Sequence, residues 1–278
     1  MKDATRKILT LALFAVFLVS TTVFTLQFFD KRTGSEVYIQ AESLAQIAPP
    51  ETEPAEAVTE PAPIPDAPAQ PQTPQWIPAP VEDDPYMDML ARTNFSALRS
   101  VNKDVVGWIY IPDTSISYPI TQGEDNSYYL SHTWNGASNY VGSIFLETRN
   151  SADFTDFNTI VYGHNMRNGS MFSGLHDYTD LAHWQQHPYV YIATADGVFR
   201  YRIFASYNAD IDSQTYGLSF RQTQTRENFI AMALENSDID TGDAPGIHDR
   251  IVTLSTCTGL GYSQRRVVHA YLPMVQTQ

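Results

Sequence analysis

Apolar and polar positions alternate with a period near two over most of the chain from residue 105 onward. Short runs rich in Val, Ile, Tyr and Phe, separated by Gly, Pro, Asn and Asp, read as strands. They fall at residues 105–111, 116–120, 142–146, 159–163, 189–193, 198–207, 251–257 and 266–272. Helical spacing occupies two other stretches. Asp84-Pro85 reads as a helix start, with proline at the first helical position. Met87, Leu90, Ala91, Phe95, Leu98 and Val101 follow on one side, interrupted only by Asn94. Residues 221–236 place Phe229, Met232, Ala233 and Asn236 on one side of a surface helix, and residues 171–178 read as a short helical turn. Eight strands in about 175 residues with few helices predict a closed or nearly closed β-barrel. A β-sandwich fits the same periodicity.

The pattern upstream is different. Residues 8–29 form a run without a charge, long enough at about 1.5 Å per residue to cross a hydrocarbon core of roughly 30 Å. Lys2, Arg6 and Lys7 precede it and favour an inside amino terminus, although Lys31 and Arg32 follow. Its length and the lack of a small-residue cleavage site argue for an uncleaved anchor over a signal peptide. Residues 33–91 carry eleven acidic and no basic side chains, and twelve of the 17 prolines lie between Pro49 and Pro85. Such a composition favours extended, self-repelling chain. The expected organisation is a cytoplasmic stub and transmembrane anchor at 1–32, an extracellular stalk at 33–84 and a folded domain at 85–278.

Charge and cysteine content narrow the chemistry. The formal charge of −14 offers no basic excess for a nucleic-acid partner. The single cysteine excludes an internal disulfide and a cysteine-cluster metal site. No histidine pair at helical i, i+4 spacing has a Glu between its members, since His183 and His187 enclose Trp-Gln-Gln, and the acidic residues 238–243 lack the closing Glu of a calcium loop. No cofactor or metal is expected.

Cys257 ends a strand pattern and precedes Thr258-Gly259, a placement that suits either a presented nucleophile or a buried structural thiol. A nucleophilic thiol needs a proton acceptor or a cation beside it. His164 follows the strand at 159–163 and opens a polar loop. His132, His176, His183, His187 and His248 read as ordinary surface histidines, and His269 as packed within the last strand. Arg265 and Arg266 open that strand on opposite faces, so one of them can face Cys257 and stabilise an oxyanion.

At these residues the sequence resembles the sortase family of cysteine transpeptidases, class B most closely. The motifs are Thr253-Leu254-Ser255-Thr256-Cys257, Tyr162-Gly163-His164-Asn165-Met166 and Arg265-x-Val267-Val268. Supporting stretches include Gly107-Trp108-Ile109, Tyr118-Pro119-Ile120 and Asp125-Asn126-Ser127-Tyr128-Tyr129-Leu130. The resemblance implies a mainly β, eight-stranded sortase barrel with an amino-terminal helical extension and a helix between the sixth and seventh strands. It implies Cys257 as nucleophile, His164 as general acid/base and Arg265 as the oxyanion or substrate-positioning group. Arg266 stands where many relatives have an apolar residue. Asn126, Leu130 and Ser255 match positions of the sorting-signal pocket. The implied reaction cleaves a carboxy-terminal sorting motif of a secreted protein and passes its threonine carbonyl through a thioester to an amine of a peptidoglycan precursor or a pilin lysine. The chain would then be a single-pass cell-membrane protein with its catalytic domain extracellular. The alternatives are an inactive sortase-like scaffold or adhesin, or a thiol hydrolase.

Overall fold

In the computed structural model, the described residues are 13–14, 16–17, 19–21, 34–47, 75–81, 83–259 and 263–277. The barrel strands are β2 (Val105–Tyr110), β3 (Ser117–Thr121), β4 (Ile144–Leu146), β5 (Asn158–Tyr162), β6 (Tyr189–Thr194), β7 (Gly197–Asp210), β8 (Arg250–Cys257) and β9 (Gln264–Leu272). They close in the order β2-β3-β4-β5-β8-β9-β7-β6. All eight expected strands are present, and the barrel, not the sandwich, is the solution. Pairs β3–β4 and β5–β8 are parallel and the other six are antiparallel. Parallel pairing of β5 with β8 puts the ends of both strands at the same rim of the barrel.

Two buried clusters hold this together. One joins Trp108, Ile144, Leu254, Val268 and Ala270 of the strands to Leu90 and Leu98 of the amino-terminal helices. The other seats α5 (Thr223–Asn236) on β7 and β9 through Phe229, Ile230, Ala233, Phe204, Tyr207 and Val267. The helix lies between the sixth and seventh barrel strands, as expected. Its buried face differs, however. Ile230 takes a place assigned to Asn236, which is exposed and spends its side-chain amide on the Met232 carbonyl.

The helical spacing at 85–101 resolves into two helices, α2 (Pro85–Ala91) and α3 (Phe95–Val101). Asp84 caps α2 by accepting from the Tyr86 and Met87 amides. The interruption at Asn94 is the cap of α3, accepting from the Ala97 amide. The expected turn near 171–178 is a 3-10 helix at Ser173–Thr179, followed by α4 (Leu181–Gln186), which periodicity had not singled out.

The largest difference lies in the segment read as a stalk. Residues 34–45 are helical (α1) and bury Tyr38, Ala41 and Ala45 at 3–4 residue spacing, with Val37 and Leu44 beside them. The Tyr38 hydroxyl donates to the Gly142 carbonyl, Trp134 Nε1 donates to the Val37 carbonyl at 3.0 Å, and the Asn94 amide donates to the Ala45 carbonyl at 3.0 Å. At the other end, β1 (Trp76–Pro78) pairs with β10 (Met274–Gln276) in a two-stranded ribbon. The stalk expected over 33–84 is therefore corrected at its two ends, 34–47 and 75–81, which are docked on the catalytic body, while residues 48–74 lie outside the described residues. The apolar run at 8–29, read as a transmembrane anchor, lies largely outside the described residues. Among the described residues no helix is long and apolar enough to cross a membrane.

Candidate active site

Three adjacent strands deliver the candidate residues to one rim. Cys257 is the last residue of β8 and pairs directly with Arg265 on β9. On the other side of β8, Tyr162 pairs with Ser255, and the Gly163 amide donates to the Ser255 carbonyl at 3.1 Å. His164 follows at once, so the parallel register carries it to the level of Cys257. Strand alternation puts Ser255 and Cys257 on one face of β8, opposite Val267 and Arg265.

That face opens into a cleft of about 410 Å³. His164, Cys257 and Arg265 line it together, and so do Asn126, Leu130 and Ser255. Arg266 does not. Its guanidinium is buried on the other face, donating to Asp238, to Asn208 Oδ1 at 3.4 Å and to the Tyr178 carbonyl at 3.1 Å. The arginine left open by alternation is thus Arg265 by position.

His164 is held by Nε2, which lies 2.7 Å from the Leu130 carbonyl. A carbonyl only accepts, so Nε2 carries the proton and the neutral ring keeps Nδ1 as its acceptor. Leu130 therefore both lines the cleft with its side chain and orients the histidine with its backbone. Gly142 backs the ring. It sits at φ +62°, and a Cβ there would lie 2.8 Å from His164 Cδ2 and 2.8 Å from the Tyr129 carbonyl oxygen. Gly142→Ala is expected to push the imidazole off station and lower turnover at least tenfold. Measured kcat of the variant checks this; parental kcat would refute it.

Several lining residues carry no sequence signal of their own. Glu147 is buried to 1% exposure at the cleft wall. Burial works to raise its carboxyl pKa, but hydrogen bonds from Arg149 (2.7 Å) and Tyr162 (3.1 Å) and the charge of Arg149 hold it below the usual carboxylate range. Asn126 is committed to the same group. Its Nδ2 donates to Glu147 Oε2 at 2.8 Å and its Oδ1 accepts from the Thr148 amide at 2.9 Å. Tyr216 closes the far wall, its hydroxyl 2.9 Å from Ser255 Oγ. Burial raises its pKa, which keeps it a neutral hydrogen-bonding group. Ile211 is 52% exposed and Leu130 46%, so the mouth is apolar. His176, read as a surface histidine, instead brings Nε2 to 3.0 Å from the Cys257 carbonyl. Among the described residues, no group of three or more His, Cys, Asp or Glu side chains could hold a metal ion.

Residues 109–273 match the family model described as a sortase domain. The chain belongs to the sortase family. Sortase B of Listeria monocytogenes is 38% identical over 178 residues, spanning 64% of this chain and 72% of the relative. Sortase B of Staphylococcus aureus is 32% identical over 166 residues, spanning 60% and 68%. The 2.0 Å crystal structure of S. aureus sortase B superposes with a TM-score of 0.62 at 29% identity, over 68% of this chain and 89% of that one. A B. anthracis sortase B in complex with AAEK1 gives 0.67 at 28% identity, over 89% and 100%. The similarity is to class B sortases, and the enzyme is a cysteine transpeptidase of that class. Other matching structures are a sortase B–substrate complex from S. aureus and a sortase B complexed with triglycine.

Proposed function

We propose that this sortase cleaves a carboxy-terminal sorting motif of secreted proteins and joins the new carbonyl to an amine of a cell-wall precursor or a pilin lysine. The pairing of Cys257 with Arg265, next to the strand end that carries His164, is the observation that supports this reading most directly. In the proposed first step His164 Nδ1 takes the proton of the Cys257 thiol, and the resulting thiolate attacks the scissile carbonyl. Arg265 stabilises the oxyanion, and His164 protonates the departing amine as the tetrahedral intermediate collapses to a thioester. In the second step an incoming amine gives a proton to His164 and attacks the thioester, which releases the thiolate. Ser255 and the apolar mouth at Leu130 and Ile211 hold the peptide, with Asn126 shaping the wall through Glu147. Substrate and triglycine complexes of relatives support a peptide donor and an amine acceptor.

The length of the apolar run at 8–29 supports a single-pass anchor with the catalytic domain outside the membrane. Incubation with a library of sorting-motif peptides and an amine such as triglycine tests the reaction. A peptide–amine product that needs Cys257 supports it. Water as the sole acceptor at saturating amine would mean a hydrolase, and no processing of any peptide would mean a scaffold.

A further inference from the structure

The carbonyl of Cys257 receives two side chains from the histidine side of the cleft. Asn165 Nδ2 donates to it at 2.9 Å, and His176 Nε2 lies 3.0 Å from it. Asn165 Nδ2 also lies 3.0 Å from His176 Nε2. The amide orientation is set by chemistry, since only the NH₂ end of Asn165 can face a carbonyl oxygen.

The position of this contact is informative. Along the parallel β5–β8 seam the Gly163 amide donates to the Ser255 carbonyl. Bonds in a parallel pair recur every two residues, so residue 165 and the Cys257 carbonyl form the next rung. Here the side-chain amide of Asn165 makes that rung. The residue that directly follows His164 in the chain thereby grips the backbone of Cys257. His176 reaches the same oxygen from the 3-10 helix at Ser173–Thr179.

We propose that Asn165 and His176 are positioning residues that clamp the Cys257 carbonyl and so fix the spacing of His164 from the thiol. The proposal rests on Cys257 as nucleophile and His164 as proton donor. A loop that follows a strand end has many conformations open to it, and a tie across the seam removes those in which His164 drifts. Proton transfer is sensitive to such drift, because a misplacement of about 1 Å can cost on the order of a hundredfold in rate.

Asn165→Asp tests the clamp. It keeps the side chain's size and outline but turns an acceptor oxygen toward the carbonyl. The expected result with a sorting-motif peptide is a kcat lowered roughly 10- to 100-fold, with the peptide KM within about twofold of the parent. Alkylation of Cys257 by iodoacetamide in alkaline solution should keep its parental rate, because that reaction needs no histidine. His176→Gln, which can still present an N–H, should retain more activity than His176→Ala. Parental kcat in Asn165→Asp overturns the clamp, and so does a joint fall of kcat, alkylation rate and melting temperature. If Asn165→Asp fails to fold, the His176 pair decides, with equal activities of Gln and Ala counting against the proposal. Cys257→Ala runs alongside. Turnover in that variant would defeat the nucleophile reading itself, whereas a Cys257-dependent parent with an unimpaired Asn165→Asp defeats the clamp alone.

Discussion

Replacing Cys257 with alanine is expected to remove transpeptidation, by more than about a thousandfold, while leaving the fold intact. No other thiol exists in the chain to form a thioester. Cys257 is half-buried at a strand end, so losing one sulfur opens no large cavity. His164→Ala should cost about 10²–10⁴ in kcat, the usual range for a positioned acid/base. Arg265→Ala should cost about 10²–10³, as for removal of an oxyanion donor. Arg265→Lys should recover little, because a point charge does not reproduce a planar fork of donors. The neighbouring arginine provides the control. Arg266 is 1% exposed and tied to Asp238 and Tyr178, so Arg266→Ala should lower the melting temperature through the buried Tyr178 carbonyl it leaves unpaired and the volume its side chain vacates. Steady-state kinetics and thermal melts on the two arginine variants together decide the assignment. If Arg265→Ala keeps turnover and Arg266→Ala loses it without loss of stability, the assignment to Arg265 is wrong.

Acidification from about pH 6.5 to about pH 3 is expected to destabilise the fold by up to about 5 kcal/mol through His269 alone. This imidazole is fully buried among the rings of Phe204, Tyr207 and Phe229. Its hydrogen bonds run in one direction. Thr253 Oγ1 donates to Asn158 Oδ1 at 2.6 Å, so its oxygen accepts from His269 Nδ1 at 2.9 Å. Nε2 is then unprotonated and accepts from the Tyr207 hydroxyl at 3.0 Å. Tyr207 in turn meets Thr215 at 2.9 Å. A second proton on the ring would have to reverse this chain in a site without water-like solvation. Desolvation accordingly lowers the His269 pKa to about 3.

The sign follows from proton counting. Below pH 6.5 the unfolded chain takes up a proton that the native state refuses, so stability falls with pH until the native ring titrates near 3. Carboxylates such as Glu147 add their own acid sensitivity, so the informative quantity is a difference between proteins. Urea unfolding of the parent and of His269→Gln at several values between pH 7 and pH 4 should show the steeper loss in the parent. Equal slopes would show that His269 contributes nothing. The functional cost of this instability would appear at the cleft. Asn158 Nδ2 also donates to the carbonyls of Thr215 and Gly217, on either side of Tyr216, which reaches Ser255.

The strands of the barrel were legible because each is a short β-branched or aromatic run between turn residues, and local alternation suffices to place it. Cys257 and His164 were legible because strand ends are where a sheet presents side chains, whereas the choice of Arg265 rested on the family resemblance. Helix α1 was not. Its buried stripe is Tyr38, Ala41 and Ala45, one aromatic and two small residues interleaved with Glu36 and Glu42, and the acidic, proline-rich average around them hides a helix that only docking stabilises. Strands β1 and β10 have three residues each, and nothing in either run announces a partner about 200 positions away. Alternation separated Arg265 from Arg266 but could not say which face held the cleft. The contact of His176 with the Cys257 carbonyl spans 81 positions and exists only once β5 and β8 are paired. Asn126 was legible as a lining residue, whereas its bond to Glu147 needed the fold.

The docking of α1 and β1 on one body has a topological consequence. Ile47 packs against the main core and Gln75 bonds Thr277, so the described residues on both sides of 48–74 are tied to one body. A specific protease site placed between Ala62 and Ala67 should, once cut, give two bands on a denaturing gel but one species in native mass measurement, with transpeptidation retained. Separation of the pieces after cutting would show that α1 needs its covalent link to stay in place. If the pieces stay together, the length of this stretch is free to change without altering where the catalytic cleft stands relative to residue 34.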